Sequence, residues 1–343
     1  MKKLIFNIFK YLVFFAIGIL IFWFLYRKIE WKELVSALKG LKYQWLFVSV
    51  FLGLMSQVSR SLRWKMLIKP LGYNPSLSNT FLSVLVLYFV NLIVPRAGEV
   101  ARCTVLARTD KIPFTKLVGT VFIERLADVV MLFTLSLIIF TMNLSIVVKF
   151  FELHPAILAN LQKFLSLKYI LIVIIVVVAL AVFLFFLRKR FRKSEKKGRL
   201  VDLKNQFVDG IKSILHMEKK WLFIGHTAFI FLMWLVMLYV VFFAYEPTKD
   251  LTLRAGMVIF LMGGLGMLAP IQGGIGPWHF MVVETLILYG IQREEGLIFA
   301  LVAHTTTNLI YILLGGIALL ILILKYGNAS ILKRSAEQTS KSH

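Results

Sequence analysis

Long uncharged and mostly apolar runs recur along the whole chain, and short segments between them hold most of the charged residues. The runs lie near residues 11–26, 43–59, 71–95, 129–148, 169–187, 221–245, 255–283 and 297–324. Each is close to or above the roughly 17–20 residues that a helix needs to cross the hydrocarbon core of a bilayer. The pattern predicts an all-α polytopic membrane protein with a single membrane domain over residues 1–343.

The first run follows a basic N-terminal segment, which is also typical of a signal peptide. It lacks a small-residue cleavage site, however, and it ends in an aromatic and basic stretch from Trp23 to Arg27. Such an ending is typical of a helix that is anchored at the membrane interface. The chain is therefore predicted to keep this segment as its first membrane helix.

Two of the runs are poorly suited to be single spanning helices. Residues 260–278 contain six glycines and two prolines, which are unfavourable inside a helix. Pro95 is followed closely by Gly98 and by residues 99–108, a charged segment that is too polar to face lipid. Both runs are predicted to form re-entrant helical hairpins, although residues 77–94 are long enough to span the membrane instead.

With two hairpins, about six helices span the membrane and both termini lie in the cytoplasm. The predicted inner segments then hold 27 Lys and Arg residues and the outer segments hold 11. The inner segments are 1–10, 60–76, 102–116, 188–220 and 325–343, and the outer segments are 27–42, 142–168, 245–255 and 291–296. This distribution is the one expected of a multi-pass protein of the cell membrane. Only Arg96 and Arg125 remain at membrane depth.

The same topology contains two similar units in opposite orientation. Residues 43–141 are predicted to form a helix, a hairpin from the inside and a helix, and residues 221–324 a helix, a hairpin from the outside and a helix. Inverted repeats of this kind are common in secondary transporters, whose binding sites lie near the bilayer midplane. Residues 188–220 are the basic cytoplasmic loop between the units, and residues 325–343 are the cytoplasmic tail.

Composition and charge narrow the possible partners. The chain is 59% hydrophobic and 17% charged, with a net charge of +23. The basic residues stand between hydrophobic runs and have neither a soluble fold around them nor interleaved stacking aromatics, so nucleic acid is not expected as a partner. The basic run 188–199 is expected to contact the anionic headgroups of the inner leaflet.

Known catalytic and cofactor motifs do not occur in the sequence. A single cysteine, Cys103, leaves no internal disulfide and no thiolate metal cluster. The sequence has no Walker loop, no HExxH and no GxSxG motif, and no segment between the runs is long enough for a soluble catalytic domain. No catalytic residue, metal or cofactor is therefore expected, and an enzyme is the less favoured class of protein.

The first group of candidate residues lies at the predicted tip of the first hairpin. Asn91, Arg96, Glu99 and Arg102 follow one another within twelve residues, and Glu99 and Arg102 are spaced to pair on one helix face. Arg96 has no sequence neighbour at that spacing. One interpretation is a helix end whose charges reach the membrane interface; the other is a binding site in which arginines hold a phosphate oxyanion.

The second group lies within the helix that is predicted to begin near Leu117. Glu124 and Asp128 share one face of that helix, and Arg125 lies between them. A charge at this depth is costly, so such residues usually face the protein interior and find partners. Two roles are open: an ion pair that holds Arg102 or Arg96, or direct contact with a substrate.

The third group surrounds the second hairpin. Gln272, His279 and Glu284 are candidate ligand-binding residues there, because glycines next to them would let backbone amides approach a ligand. His279 is either a proton relay or a packed side chain near an aromatic belt. His304 and Asn308, at i and i+4 in the last helix, are expected to make hydrogen bonds between helices.

Three motifs together resemble the lysylphosphatidylglycerol synthase transmembrane-region family, whose members are also described as flippase-like. The motifs are VPRAGEVAR, ERLADVVML and GGIGPWH followed by an acidic residue, and the resemblance covers roughly residues 10–325. The residues that match the family motifs are Pro95, Arg96, Gly98, Glu99, Arg102, Glu124, Arg125, Asp128, Gly273, Gly274 and Gly276. The resemblance implies a lipid flippase unit, which multidomain members join to a cytosolic aminoacyltransferase.

The chain departs from that family pattern in two ways. Trp278 and His279 replace the acidic residue that usually follows the third motif, and Glu284 comes later. The 343 residues contain no aminoacyltransferase domain. Three functions are therefore considered: a flippase-like transporter of a phosphate-bearing or polyprenyl-linked lipid, driven downhill or by an ion gradient; an intramembrane transferase acting on a lipid headgroup; and an accessory subunit of a lipid or glycan pathway. An oligomer is compatible with each of them.

Overall fold

The computed structural model describes residues 16, 19–27, 29–94, 97–157, 159, 199–269 and 271–339, with side chains up to residue 326 except those of 147 and 272. These residues are almost entirely helical and contain no strand. Arg96, the predicted span at 169–187 and nearly all of the basic run 188–199 lie outside the described residues. The first predicted span is described only in part, and its residues 19–26 are helical.

The remaining helices carry labels in chain order. They are α1 Trp31–Lys39, α2 Tyr43–Ile68, α3 Leu77–Ile93, α4 Gly98–Thr109, α5 Phe114–Met142, α6 Leu144–Leu153, α7 Arg199–Lys212, α8 Lys220–Phe242, α9 Leu253–Gly266, α10 Pro277–Leu288 and α11 Arg293–Thr339. Short 3₁₀ turns follow α2, α8 and α9, at Lys69–Leu71, Glu246–Thr248 and Gln272–Gly274. The helix predicted to start near Leu117 begins three residues earlier, directly after Pro113.

Four of the described helices are long and apolar enough to cross a membrane. They are Tyr43–Leu71, Phe114–Met142, Lys220–Phe242 and Arg293–Tyr326. Three shorter apolar helices, α3, α9 and α10, belong to the two predicted hairpins. The predicted all-α polytopic membrane fold is confirmed.

The same order of elements occurs in both halves of the described chain. A long helix, a packed pair of shorter helices and a second long helix form the first unit, α2 to α5, and the second unit, α8 to α11. The units meet where α2 packs on α8 and where α11 packs on α3. Leu92 at the end of α3 lies against Gly273 in the turn of the second pair, so the two tips are in contact. The opposite orientation of the units in the membrane stays a prediction.

Each helix pair closes through glycines that let two backbones approach. A Cβ atom on Gly98, the first residue of α4, would lie only 2.1 Å from the carbonyl oxygen of Leu87 in α3. A Cβ atom on Gly266, the last residue of α9, would lie 2.8 Å from the carbonyl oxygen of Pro277 in α10. Only glycine permits these contacts without a shift of backbone.

Several segments predicted to be cytoplasmic lie together at one end of the molecule. Lys69, just after α2, forms an ion pair with Glu218, just before α8, at 3.7 Å. Asn79 at the start of α3 donates to Asp110 after α4 at 3.0 Å, and its amide also donates to the hydroxyl of Tyr326 in α11 at 2.9 Å. These segments thus share one end of the molecule, and that this end is cytoplasmic stays a prediction.

Two segments predicted to be external lie together at the opposite end. The backbone N–H of Lys42, before α2, donates to the carbonyl of Ala244, after α8, at 2.9 Å. The ammonium of Lys42 also pairs with Glu246 at 3.3 Å, and Lys249 donates a second hydrogen bond to that carboxylate. The hydrogen bonds from Lys249 and Lys42 hold the pKa of Glu246 below its ordinary value.

The predicted topology can be tested by labelling single cysteines at the two ends. Cys103 is buried and is first replaced by alanine to provide a cysteine-free background. Lys219→Cys, at the exposed start of α8, is expected to react from the cytoplasmic side, and Asp250→Cys, in the exposed loop before α9, from the external side. Labelling of both positions from one side would contradict the topology and the inverted repeat with it.

Candidate functional site

Seven charged side chains from three helices of the first unit form one group, here called the arginine–carboxylate cluster. It consists of Arg60 and Arg63 from α2, Glu99 and Arg102 from α4, and Glu124, Arg125 and Asp128 from α5. Helical spacing explains why each helix presents its charges on one face, because residues three or four apart are neighbours there. The cluster lies beside the tip of the first hairpin.

Glu124 is the centre of the cluster. Its Oε1 accepts hydrogen bonds from Arg63 Nη2 at 3.0 Å and from Arg125 Nη2 at 3.2 Å. Its Oε2 accepts a third from Arg102 Nη1 at 3.0 Å. The side chain is fully buried. A carboxylate removed from water is stable only with such partners, so Glu124 and its arginines depend on one another.

The other two carboxylates complete the network. Asp128 pairs with Arg63 Nη1 at 2.7 Å, with Arg125 Nη1 at 3.2 Å and with Arg60 Nη2 at 3.4 Å. Glu99 pairs with Arg102 Nε at 2.7 Å and with Arg125 Nε at 3.1 Å. Every carboxylate of the cluster thus contacts at least two guanidinium groups.

The cluster carries an excess of positive charge among the described side chains. It contains four guanidinium groups and three carboxylates, which leaves a net charge of one. Arg102 is completely buried, and its Nη2 has no hydrogen-bond partner in the described part of the chain, although the guanidinium lies 4.5 Å from the ring centroid of Trp64. Arg125 is 38% exposed and is therefore the most accessible arginine of the group. The arrangement can accept an anion from outside.

The hairpin tip shapes one side of the cluster. Asn91 Oδ1 accepts a hydrogen bond at 2.8 Å from the backbone N–H of Gly98. This N–H group is at the start of α4 and has no acceptor within the helix. Glu99 and Arg102 lie in the first turns of that helix. They form the ion pair that their spacing predicted. Gly98 itself is buried between two backbones, so it supports the hairpin and does not face a ligand.

Arg60 and Arg63 are functional candidates that the sequence did not reveal. They were assigned to the first residues of an inner segment, whereas the structure buries both inside α2, and Arg63 also donates to Thr227 in α8 at 3.0 Å. Burial therefore groups Arg60 and Arg63 with Arg125 in the protein interior, while the predicted depth of each arginine in the membrane stays a prediction. The sequence did indicate that α2 continues past Arg60 and Arg63, because no helix breaker occurs between Ser59 and Pro70.

The turn of the second hairpin is held by hydrogen bonds within the protein. Gly273, Gly274 and Gly276 have positive φ angles of 58°, 71° and 95°, which glycine adopts without strain. The N–H of Gly276 donates to His279 Nδ1 at 3.3 Å, and the carbonyl of Gly273 accepts from His304 Nε2 at 2.8 Å. The N–H of Gly274 donates to the carbonyl of Ile271, so the amides of Gly274 and Gly276 already have acceptors. These two amides are therefore used within the turn, and the predicted role of the three glycines in ligand binding stays a prediction.

The remaining predicted residues of the second hairpin separate into two places. His279 is buried with its ring centroid 4.5 Å from that of His304. Asn308 donates to His304 Nδ1 at 3.0 Å within α11, whereas the predicted contact with another element is made by His304, through the carbonyl of Gly273. Glu284 lies elsewhere: it accepts from Arg293 at 2.6 Å and contacts His154 at 3.2 Å. The structure therefore does not bring Glu284 to the arginine–carboxylate cluster. The side chain of Gln272 lies outside the described part.

Comparison with known proteins agrees with the motifs. The sequence profile of the lysylphosphatidylglycerol synthase TM region matches residues 8–315, which is most of the chain. The protein belongs to this family. Its cluster is therefore formed by residues of a multi-pass integral membrane protein, and Glu99, Arg102, Glu124 and Asp128 come from the two family motifs that the sequence showed.

One curated protein is similar in sequence to part of this chain. The UPF0104 membrane protein MJ1595 of Methanocaldococcus jannaschii is 32% identical over 111 residues. This match covers 31% of the present chain and 33% of that protein, so the aligned region spans about a third of the relative. No solved structure matches the chain significantly.

Proposed function

We propose that the protein is a flippase-like transporter that moves an anionic, phosphate-bearing lipid between the two leaflets of the membrane. Its membership of the lysylphosphatidylglycerol synthase TM region family supports a role related to membrane lipids. The arginine–carboxylate cluster is the proposed headgroup site. The observation that carries the proposal is that, among the described side chains, the cluster has one more positive than negative charge and Nη2 of buried Arg102 has no hydrogen-bond partner.

Phosphate is the ligand chemistry that suits this site best. Guanidinium groups bind phosphate oxygens through parallel, charge-assisted hydrogen bonds. A buried N–H without an acceptor is costly, so an anion that accepts from Arg102 gains a hydrogen bond on binding. The net positive charge of the cluster also favours binding of the anion. The three carboxylates keep the arginines in place and limit the excess to a single charge. Such a site can release its ligand, which a transporter must do.

Arg125→Gln tests this proposal because it removes the excess charge and leaves the pairing of the buried arginines intact. After the change, Arg60, Arg63 and Arg102 still contact the three carboxylates. Because Arg125 is partly exposed, we expect little loss of stability, within about 1 kcal/mol. Loss of one charge-assisted hydrogen bond, about 1.5–3 kcal/mol, is expected to lower bound anionic lipid by roughly tenfold or more.

The measurement is mass spectrometry of lipids that co-purify with the gently solubilised protein. Arg293→Gln is the matched control, since it removes an exposed arginine that pairs with Glu284 away from the cluster. The control is expected to retain the lipid of the unchanged protein. Equal retention of anionic lipid by both variants and the unchanged protein would contradict the proposed headgroup site.

A further inference from the structure

Three ionisable side chains away from the arginine–carboxylate cluster form a second group, here called the histidine–glutamate site. They are His154, which follows α6, Glu284 in α10 and Arg293 at the start of α11. Glu284 Oε2 lies 3.2 Å from His154 Nε2, and Glu284 Oε1 accepts a hydrogen bond from Arg293 Nη2 at 2.6 Å. The site thus joins the end of α6 to the second hairpin and to α11.

The hydrogen-bond partners of His154 determine how many protons its ring carries. Its Nδ1 lies 2.9 Å from the carbonyl oxygen of Phe150, which can only accept, so Nδ1 must carry a hydrogen. A neutral ring with its hydrogen on Nδ1 has a lone pair on Nε2. That lone pair would face Glu284 Oε2, which also can only accept when the carboxyl group is ionised. One additional proton must therefore lie between His154 and Glu284 for a hydrogen bond to form.

Two neighbours place this proton on the imidazole and not on the carboxyl group. Arg293 donates to the other oxygen of Glu284, and a charge-assisted hydrogen bond of this kind favours the ionised carboxylate. His154 is the C-terminal cap of α6, where the carbonyl groups of the last turn carry partial negative charge and favour a cation. The geometry thus corresponds to an imidazolium that donates one hydrogen bond to a backbone carbonyl and another to a carboxylate.

Water can reach this site, although aromatic rings cover much of the imidazole. Phe150 stacks on His154 with ring centroids 4.6 Å apart, and Phe280 meets the ring edge-on with centroids 5.8 Å apart. The side chain of His154 is still 17% exposed, and that of Arg293 is 48% exposed. A proton moves between water and an imidazole through a hydrogen bond, so this exposure is sufficient and the site needs no cavity.

His154 and Arg293 are the described side chains that pair with Glu284. The remaining ionisable side chains on or next to this end of α6, α9, α10 and α11 are Lys149, Glu152, Arg254, Tyr289, Glu294 and Glu295. None of these forms a hydrogen bond or an ion pair with His154 or Glu284 in the part of the chain that the structure describes. Protonation of the site is therefore governed by its own three members.

The bond between His154 and Glu284 holds α6 against the second hairpin. The rest of this contact is apolar, with Phe150 of α6 in one cluster with Val258 and Met262 of α9. Among the described side chains, no other hydrogen bond or ion pair links α6 to that hairpin. Loss of the proton turns this bond into a contact between a lone pair and a carboxylate, which weakens the attachment of α6.

We infer that His154 and Glu284 form a proton-binding site that fastens α6 to the second hairpin when the proton is bound. His154 and Arg293 belong to segments 142–168 and 291–296, which are both predicted to be external, so the proton is expected to come from the outer solution. The inference goes beyond the proposed function, because it holds for any ligand of the arginine–carboxylate cluster.

Nitrogen NMR of the histidine rings tests this inference. The full chain is labelled with nitrogen-15 histidine in bilayers, and the spectrum of His154→Gln identifies the signals of His154 among those of six histidines. At about pH 7.5, a ring free in water is roughly nine-tenths neutral. We expect two protonated ring nitrogens at His154 in the unchanged protein and one in Glu284→Gln, whose amide can donate to a neutral ring. An unprotonated Nε2 in the unchanged protein would overturn the proton-binding site.

The pH dependence of thermal unfolding separates proton binding from a purely structural role. Because the folded site holds a proton that an unfolded chain releases near neutral pH, its stabilising effect is present at low pH and decreases as the pH rises. Between about pH 6 and pH 9, the melting temperature of the unchanged protein is expected to fall by roughly 2–4 °C more than that of Glu284→Gln.

His216→Gln is the control for this measurement. It removes an exposed imidazole whose Nδ1 lies 3.1 Å from the carbonyl oxygen of Lys212, away from the histidine–glutamate site, and it should keep the pH profile of the unchanged protein. A difference in melting temperature between the unchanged protein and Glu284→Gln that stays the same at every pH would show that the contact does not depend on a proton, and would overturn the inference.

Discussion

Glu124→Gln is expected to lower the free energy of unfolding by about 3–5 kcal/mol, because it leaves buried guanidinium groups without their shared carboxylate. Glu124 accepts hydrogen bonds from Arg63, Arg102 and Arg125, and its side chain is not exposed. The substitution raises the net charge of the cluster from one to two inside the membrane domain. Arg63 and Arg102, which lose this partner, are completely buried, so water cannot take its place.

Thiol labelling during thermal unfolding measures this loss. Cys103 is the single cysteine of the chain and is only 1% exposed, so a thiol-reactive dye reports when the first unit opens. Glu246→Gln is the control, since that carboxylate pairs with Lys42 and Lys249 at the exposed end. We expect a clear fall in the unfolding temperature for Glu124→Gln and little change for the control. Equal unfolding temperatures would refute the central role of Glu124.

A double-mutant cycle checks that Glu124 acts through Arg102. Changing both residues to glutamine is expected to cost less than the sum of the two single changes, with a coupling energy of about 0.5–3 kcal/mol. The reason is that each single change leaves the other charge buried without one of its partners. Strictly additive losses would mean that the contact between Glu124 Oε2 and Arg102 Nη1 at 3.0 Å is not an energetic link.

Gly98→Ala is expected to open the first hairpin, because the added methyl group would lie 2.1 Å from the carbonyl oxygen of Leu87 and 2.7 Å from Asn91 Oδ1. The carbonyl oxygen of Leu87 belongs to the backbone of α3, so it can move away only if α3 shifts from α4. Overpacking of this kind typically costs about 1–3 kcal/mol, and here it also disturbs the helix that positions Glu99 and Arg102. We therefore expect both lower stability and weaker binding of anionic lipid.

Gly225→Ala is the matched control for this prediction. Gly225 lies within α8, and a Cβ atom there would have no neighbour within 4 Å. Alanine favours helix over glycine by about 1 kcal/mol, so the control should be as stable as the unchanged protein or slightly more stable. Cys103 in α4 should become reactive at lower temperature in Gly98→Ala alone. Protection of Cys103 equal to that in the control would show that the hairpin tolerates the methyl group.

Much of the fold could be predicted because a bilayer imposes simple rules on sequence. The glycines and prolines of residues 260–278 and the charged segment after Pro95 predicted two interrupted regions, and both are helix pairs in the structure. Spacing alone predicted the pairing of Glu99 with Arg102, and the expected partner of Arg102 in α5 is Glu124. Local periodicity was sufficient for these features.

Tertiary packing decides what the sequence could not show. Arg60 and Arg63 end an uncharged run and therefore resembled the start of an inner loop, but α2 continues to Ile68 and buries them against α5. The rings of Tyr88 and Tyr311 stack with their centroids 4.4 Å apart and join α3 to α11, and no local pattern contains that information. In the glycine turn of the second hairpin, the N–H of Gly276 donates to His279 and the carbonyl of Gly273 accepts from His304, and these contacts depend on the packing of α10 and α11.

Transbilayer movement of lipid in proteoliposomes tests the central claim most directly. An acyl-chain-labelled phosphatidylglycerol is added to one leaflet, and its extraction by albumin is followed with and without an imposed proton gradient. The account predicts that the unchanged protein moves the lipid faster than protein-free liposomes do. It also predicts that Arg125→Gln, with Cys103 still protected, loses most of this movement. Equal rates for Arg125→Gln and the unchanged protein, or no movement above that of empty liposomes, would contradict the account.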